Sequence, residues 1–260
     1  MLLVALVVML TGVAQATPRS LAPPVTKWVV ATPATSAPAL PLMLRPRLLV
    51  LGDSVPAGTV CGCPGFGADL AARMPAVLNN AAQPGLTSAG LLAQVESPTM
   101  ARVLDAADIV TITIGANDFD HSHAADDSCA SLGCYQPALQ QLTSNMNAVL
   151  GRVLAQTRPG TKVVLTGYWN VFLDGSVGAQ LGATYVANSD ALTRQVNTVL
   201  AQVARNGNGL YADLYTPFKE DGSADDTDLL ASDGDHPNAA GHEMIATAIA
   251  AAAHLVIQPH

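Results

Sequence analysis

The sequence predicts an α/β domain in which a parallel sheet is covered by helices on both faces. Short apolar runs alternate with stretches whose apolar side chains recur every three or four residues, and this alternation is typical of strands joined by helices. The strand runs are apolar throughout, which indicates that they are buried on both sides. With 260 residues, 50% of them hydrophobic and only 12% charged, the chain can fill such a core.

Five short runs are predicted as strands and three longer stretches as helices. The strands are residues 48–51, 77–79, 109–114, 163–166 and 210–212. The helices are residues 139–153, 192–203 and 239–255. In the first two helices the apolar positions follow a 3, 4 spacing, so we expect these stripes to face the core.

The charge balance excludes some classes of partner. Twelve basic residues against 20 acidic ones leave a net charge of −8, and no run of Lys or Arg is present. Nucleic acids and anionic membranes are bound by clustered basic side chains, so neither is an expected partner. The body of the chain has no apolar stretch of about 18 or more residues, so stable insertion into a membrane is not expected either.

The first 46 residues differ in composition from the rest. Residues 2–13 are almost wholly apolar and are followed by Ala14-Gln15-Ala16, which predicts a signal peptide over residues 1–16 and an exported protein. No basic residue precedes the apolar run, and a buried core helix is the alternative interpretation. Seven of the 17 prolines lie in residues 17–46, which predicts an extended linker. The folded domain is therefore expected over residues 47–257.

Polar residues concentrate after the predicted strands. Ligands of parallel sheets bind outside the carboxyl ends of the strands. The first strand is followed by Gly52-Asp53-Ser54, and the second by a loop that contains Gly85. Asn117 and Asp118 follow the third strand, and an Asp- and His-containing loop at 233–238 comes after the last. We expect these loops to share one edge of the sheet.

Three of these side chains have the chemistry of a catalytic triad. A serine hydroxyl such as that of Ser54 becomes a good nucleophile only when a base removes its proton. His236 is a suitable base, because histidine ordinarily titrates near pH 6.5. A carboxylate must orient the ring, and Asp233, three residues earlier, is predicted to do so rather than the adjacent Asp235.

The tetrahedral intermediate of such a reaction needs hydrogen-bond donors for its oxyanion. The candidates are the backbone N–H groups of Ser54 and Gly85 and the side-chain amide of Asn117. Each of these four polar segments alone is a common turn. Their occurrence in order after successive strands indicates an active site.

The same residues make the chain resemble the GDSL/SGNH hydrolase family of esterases and lipases. Ser54, Gly85, Asn117 and His236 match the four signature residues, and Asp233 matches the triad acid. The best-matching segments are LVLGDS at 49–54, TIGAND at 113–118 and DGDHPN at 233–238. Gly85 is the least specific of the four matches, because it is assigned from its position in the loop after the second predicted strand. The resemblance covers residues 47–256, all but the last residue of the expected domain.

This resemblance implies a three-layer α/β/α, flavodoxin-like fold with a five-stranded parallel sheet. It implies a Ser54–His236–Asp233 triad, an acyl-enzyme intermediate, and no metal or organic cofactor. The substrate is expected to be a small-molecule or lipid ester, handled by a secreted, monomeric esterase or lipase. Carbohydrate O-deacetylase, phospholipase and acyltransferase activities use the same scaffold and remain alternatives.

Aromatic side chains cluster near the expected site in a chain with 4% aromatic residues. Tyr168, Trp169 and Phe172 follow the fourth strand, and Phe119 lies beside Asn117. We predict that they line an acyl pocket. Packing beneath a loop is the alternative.

The four cysteines fall into two local pairs, Cys61 with Cys63 and Cys129 with Cys134. In an exported protein, disulfides are expected. Cys129–Cys134 closes an easy loop, whereas Cys61–Cys63 is expected to be strained, so cross-pairing between the two loops stays open. A four-thiolate zinc site is a weaker alternative.

The sequence does not favour two other functions, nucleotide binding and cation binding. Gly62, Gly65 and Gly67 do not form the dinucleotide-binding fingerprint, and no acidic residue ends the second strand, so a nucleotide-binding module is not favoured. The polar residues at 118–127, which include His121 and His123, have the chemistry of a cation site. A solvated loop is the preferred interpretation, and no metal is expected.

Overall fold

The computed structural model describes residues 44–125 and 132–258, and its centre is a five-stranded parallel sheet. The strands are β1 (Arg47–Gly52), β2 (Val77–Asn80), β3 (Ile109–Thr113), β4 (Lys162–Thr166) and β5 (Leu210–Ala212). Their order in the sheet is β2-β1-β3-β4-β5, which is the flavodoxin-like order. The predicted fold class and all five predicted strands are confirmed.

The helices follow the strands in alternation. They are α1 (Ser54–Ala57), α2 (Phe66–Arg73), α3 (Ser88–Val95), α4 (Pro98–Ala106), α5 (Gln136–Gln156), α6 (Gly175–Gln180), α7 (Ala183–Asn206), α8 (Tyr215–Lys219) and α9 (Ala239–Ala252). The predicted apolar stripes lie in α5 and α7, which pack against each other, while α2 packs against α9.

The centre of the sheet positions the loops that matter for function. Every residue of β3 is buried, as is β1 after Arg47. The register pairs Leu48 with Ile109 and Gly52 with Thr113, so β1 and β3 end side by side. The loop that carries Ser54 and the loop that carries Asn117 therefore start next to each other.

The cysteines require one correction. Cys61 and Cys63 are joined in a disulfide, although the short spacing was expected to disfavour this pairing. Gly62 between them has a φ of +64°, which turns the chain so that the two Cα atoms lie 5.1 Å apart, an ordinary separation for a disulfide. Cys134 is also disulfide-bonded. Its predicted pairing with Cys129 lies outside the described residues.

The predicted signal peptide at 1–16 and residues 17–43 of the predicted linker lie outside the described part of the chain. Within residues 44–125 and 132–258, no helix is long and apolar enough to cross a membrane.

Candidate active site

A glycine at the end of β1 allows the turn that presents Ser54. Gly52 has a φ of +132°, a conformation that side chains disfavour, and a Cβ there would lie 1.8 Å from the carbonyl oxygen of Thr113. Only glycine therefore lets β1 run this close to β3 and turn directly into α1. Ser54 is the first residue of that helix and is partly exposed.

Asp53 supports this turn from inside the protein. Its Oδ1 accepts a hydrogen bond of 3.0 Å from the N–H of Val55, and its Oδ2 accepts one of 2.5 Å from the hydroxyl of Tyr168. Burial raises the pKa of Asp53 to about 7, although both hydrogen bonds act to lower it. The side chain beside the candidate nucleophile is thus tied to the strand-end loop of β4.

Asn117 joins the loop after β3 to the loop after β2. It lies in a 3-10 turn, Ala116–Asp118, and its Nδ2 donates a hydrogen bond of 3.0 Å to the carbonyl oxygen of Leu86. Leu86 follows Gly85, an exposed residue with a φ of +77°. One of the two amide hydrogens of Asn117 is used here, and the second is available to a ligand.

Asp118 anchors the same turn to α3. Its carboxylate accepts hydrogen bonds from the N–H and the hydroxyl of Ser88, at 2.9 and 2.5 Å. Ser88 in turn accepts a hydrogen bond of 2.8 Å from Asn145 on α5. These bonds hold the peptide next to Asn117 in place.

His236 and Asp233 form a bonded pair. His236 Nδ1 lies 2.7 Å from Asp233 Oδ2, while the competing Asp235 carboxylate is 3.5 Å from the same nitrogen. Asp233 Oδ1 also accepts hydrogen bonds from the N–H groups of Asp235 and His236, at 3.2 and 3.1 Å. Burial acts to raise the pKa of Asp233, but these hydrogen bonds outweigh it and lower the pKa. Asp233 is therefore held as a carboxylate against the ring.

The other ring nitrogen of His236, Nε2, has no hydrogen-bond partner among the described residues. It is buried, and it makes no hydrogen bond to Ser54. If the neutral ring donates from Nδ1 to Asp233, Nε2 carries a lone pair and can accept a proton. In many hydrolases the serine–histidine contact tightens only when substrate binds.

Of the candidate catalytic and oxyanion residues, Ser54 and Asn117 line one small cavity of about 180 Å³, whereas His236, Asp233 and Gly85 are not among its lining residues. Its wall includes Ser54, Asn117, Phe119, His121, Phe172 and Asp235. Asp235 and His121 were not predicted as pocket residues. Burial raises the pKa of Asp235, as does the charge of Asp233, while the nearby rings of His236 and His121 act against them.

Two of the four predicted pocket aromatics are elsewhere. Tyr168 and Trp169 are 0% exposed, so they cannot contact a substrate in this structure. Trp169 stacks on Phe218, with ring centroids 4.6 Å apart, and Tyr168 reaches Asp53. The side chain of a residue that follows a strand can point either into the core or toward the cavity. Both large rings point into the core here.

The loop that carries His236 rests on a buried cluster of charges that the sequence did not reveal. Lys219 Nζ lies 2.6 Å from Asp174 Oδ2 and 3.8 Å from Asp226 Oδ1. Burial raises the pKa of Asp226 to about 7, and the charge of Asp174 adds to this effect. The N–H of Asp174 donates a hydrogen bond of 2.7 Å to the carbonyl oxygen of Gly234, between Asp233 and Asp235. The cluster thus connects directly to the loop.

The polar residues at 118–125 do not come together as a cation site. Asp118 binds Ser88, His121 binds Tyr185, and Asp120 binds Ser122. Asp126 and Asp127 lie outside the described residues.

Among the described residues, one group of potential metal ligands is close enough to share an ion: Cys61, Cys63 and His242, with ligand atoms within 4.8 Å of one another. The two sulfurs are joined, and His242 Nδ1 accepts a hydrogen bond from the N–H of Phe66. The neutral ring then carries its proton on Nε2, so the group offers no free set of ligand atoms.

The profile of the GDSL-like Lipase/Acylhydrolase family matches residues 50–244, three quarters of the chain. The chain belongs to this family. Family membership identifies it as a hydrolase of carboxylic esters. Among curated protein sequences, none matches it.

Solved structures show the same fold. An extracellular lipase from Streptomyces rimosus is 21% identical, with a TM-score of 0.65 over 80% of this chain and 100% of that chain. A phospholipase A1 from Streptomyces albidoflavus is 20% identical, with a TM-score of 0.59 over 80% and 100%. A catalytic mutant of an acetylxylan esterase from Geobacillus stearothermophilus is 21% identical, with a TM-score of 0.58 over 81% and 94%.

Proposed function

We propose that this acylhydrolase is a secreted serine esterase that cleaves short-chain esters with Ser54 as nucleophile, His236 as base and Asp233 as orienting acid. The observation that carries the proposal is the pairing of His236 with Asp233 at 2.7 Å, next to a cavity that Ser54, Asn117 and Asp235 line.

The first half of the reaction forms the acyl-enzyme. Ser54 Oγ attacks the ester carbonyl carbon while His236 Nε2 takes the hydroxyl proton, and Asp233 stabilises the resulting imidazolium. The carbonyl oxygen becomes an oxyanion, which accepts hydrogen bonds from the free amide hydrogen of Asn117 and the N–H groups of Ser54 and Gly85. The carbon–oxygen bond to the alcohol then breaks, and His236 returns its proton to the leaving alcohol.

The second half regenerates the enzyme. His236 Nε2 removes a proton from water, and the hydroxide attacks the acyl carbon on Ser54 Oγ. The same donors hold the second oxyanion, and the serine leaves with the proton from His236. This sequence consumes one water and needs no cofactor.

The cavity favours small esters with short acyl groups over long-chain esters, because the acyl and alcohol portions must share it. Its volume of about 180 Å³ is small, since ligand pockets are typically about 300–1,000 Å³. Two of the aromatic rings that could have extended an apolar tunnel, Tyr168 and Trp169, lie in the core instead. An esterase is therefore better supported than a lipase.

The proposed export rests on the N-terminal sequence and the cysteines. An apolar run ending in Ala14-Gln15-Ala16 is typical of a cleaved signal peptide. A disulfide such as Cys61–Cys63 persists best in an oxidising compartment.

The direct test is hydrolysis of p-nitrophenyl esters from acetyl to palmitoyl by the purified protein and by Ser54→Ala. We expect the highest kcat/KM on acetyl or butyryl esters and no turnover by Ser54→Ala above the background reaction. Ser176→Ala, which changes an exposed serine of α6, is the matched control and should retain full activity. Turnover by Ser54→Ala would refute the mechanism, and a preference for palmitoyl esters would refute the short-chain assignment.

A further inference from the structure

His121 lies in the wall of the catalytic cavity, in the 3-10 helix His121–Ala125 that follows β3. Its ring stacks on Phe172, with centroids 6.1 Å apart and planes at 25°. Its Nδ1 lies 3.0 Å from the hydroxyl of Tyr185. The ring is thus held on one face and at one nitrogen, while the residue is exposed to solvent.

The hydrogen bonds of Tyr185 determine which nitrogen of His121 carries the proton. Burial raises the pKa of Tyr185 to about 12, so the phenol keeps its single hydrogen near neutral pH. That hydrogen is donated to the carbonyl oxygen of Phe172. The phenol oxygen must therefore accept from His121, and the neutral ring carries its hydrogen on Nδ1. The lone pair is left on Nε2, which can only accept a hydrogen bond.

A second acceptor lies in the same wall. Asp235 lines the same cavity as His121. Its N–H donates to Asp233, while its own carboxylate lies farther from the His236 ring than that of Asp233 does. A carboxyl group has acceptor capacity in either protonation state. The cavity therefore places two acceptors beside the candidate nucleophile.

We propose that His121 and Asp235 recognise hydroxyl groups on the alcohol portion of the substrate, so that the enzyme prefers short-chain esters of polyhydroxylated alcohols. This inference rests on the proposed esterase function. Acyl chains of simple esters are hydrocarbon, whereas alcohols such as glycerol and sugars keep free hydroxyl groups that can donate. A site built to bind a substrate hydroxyl discriminates strongly against an analogue that lacks it, because the site's polar groups are then left unpaired.

The test compares two esters with one skeleton. 1-Acetylglycerol and n-propyl acetate differ only in the two hydroxyl groups, and acetate release measures the hydrolysis of both. For the wild-type protein we expect a kcat/KM about tenfold or more higher for 1-acetylglycerol, mainly through a lower KM. His121→Phe keeps a ring to stack on Phe172 but removes the acceptor. It should reduce kcat/KM for 1-acetylglycerol about 5- to 30-fold and that for propyl acetate less than about twofold.

Two further variants separate recognition from structure. His121→Gln restores an acceptor and should recover much of the preference. His123→Phe changes an exposed histidine in the same 3-10 helix, whose ion-pair contact is to exposed Asp120 at 3.8 Å, and should leave both esters unaffected. Equal rates on the two esters by wild type, or an equal loss on both in His121→Phe, would overturn the proposal. Hydrolysis of neither ester by wild type would overturn the esterase function as well.

Discussion

The two edges of the central sheet carry very different groups of charges. At the amino edge, a cleft of about 720 Å³ is bordered by Arg47, Asp108 and Arg158. The Arg158–Asp108 ion pair there is 2.9 Å long, and its side chains are 53% and 45% exposed. At the carboxyl edge, the cavity beside Ser54 is four times smaller, yet Asp235 in its wall has a raised pKa.

The difference shows that size and charge alone do not identify a site. The two charges of an exposed ion pair neutralise each other and are screened by water, so such a pair contributes little to stability. Partly buried acids that contact histidines are found where proton transfer takes place, because burial and neighbouring charge bring their pKa values into a useful range. The smaller cavity therefore has the side chains suited to proton transfer, although the larger cleft has the greater volume.

The largest effect is expected at the carboxyl edge of the sheet, in the two acids beside His236. Asp233→Asn should lower kcat by about 10² to 10⁴, because the amide neither stabilises the imidazolium nor selects the productive tautomer. Asp235→Asn should lower kcat for p-nitrophenyl acetate by less than about tenfold, since its carboxylate is 3.5 Å from Nδ1 rather than 2.7 Å. Steady-state kinetics of both variants measure this. A larger loss in Asp235→Asn would assign the orienting role to that residue.

A second effect concerns the oxyanion. Asn117→Ala should lower kcat by about 10² to 10³, the usual effect of removing one donor, with a smaller change in KM. Asn147→Ala, on an exposed position of α5, is the control. A loss of less than about threefold in Asn117→Ala would mean that its bond to Leu86 is purely structural.

A third effect tests the charges beneath the His236 loop. Asp226 is 0% exposed and its pKa is raised to about 7, so the folded state binds this proton more tightly than the unfolded chain does. Its contribution to the free energy of unfolding is therefore present below about pH 4 and is lost as pH rises toward 7. Asp226→Asn removes this loss. The Tm of the variant relative to wild type should rise by about 3 °C or more between pH 5 and pH 8, measured by circular dichroism.

Asp225→Asn changes a neighbouring exposed acid and controls for this experiment. An unchanged difference in Tm between pH 5 and pH 8 would show that Asp226 stays ionised beside Lys219 across this range.

The smallest effect belongs to the amino edge. Arg158→Ala breaks an exposed ion pair and should lower the free energy of unfolding by less than about 1 kcal/mol, with kcat/KM unchanged. Urea denaturation and the p-nitrophenyl acetate assay together check this. A loss of activity here would show that the large cleft takes part in function.

Much of this architecture could be predicted because local pattern and global fold agree. The continuous apolar strands indicated the sheet, and the motif residues Ser54, Asn117 and His236 follow strands or lie between the last strand and helix, where a parallel sheet gathers its loops. The spacing of Asp233 from His236 also predicted their contact.

What could not be predicted depends on contacts distant in the sequence. Tyr168 turns inward because Asp53, 115 residues earlier, accepts its hydroxyl hydrogen. His121 was grouped with nearby acids as a possible cation site, whereas its partner is Tyr185, 64 residues later on α7. No periodicity or local motif carries such information, because a strand-end loop can direct a side chain either into the cavity or into the core.

Covalent labelling tests most directly whether Ser54 is the nucleophile that His236 activates. Diethyl p-nitrophenyl phosphate transfers its phosphoryl group to activated serines, and peptide mapping by mass spectrometry locates the product. We expect a single adduct on Ser54, complete loss of esterase activity, and labelling of His236→Ala slower by about 10³ or more. An adduct on another residue, or full activity after Ser54 is labelled, would contradict this role of Ser54.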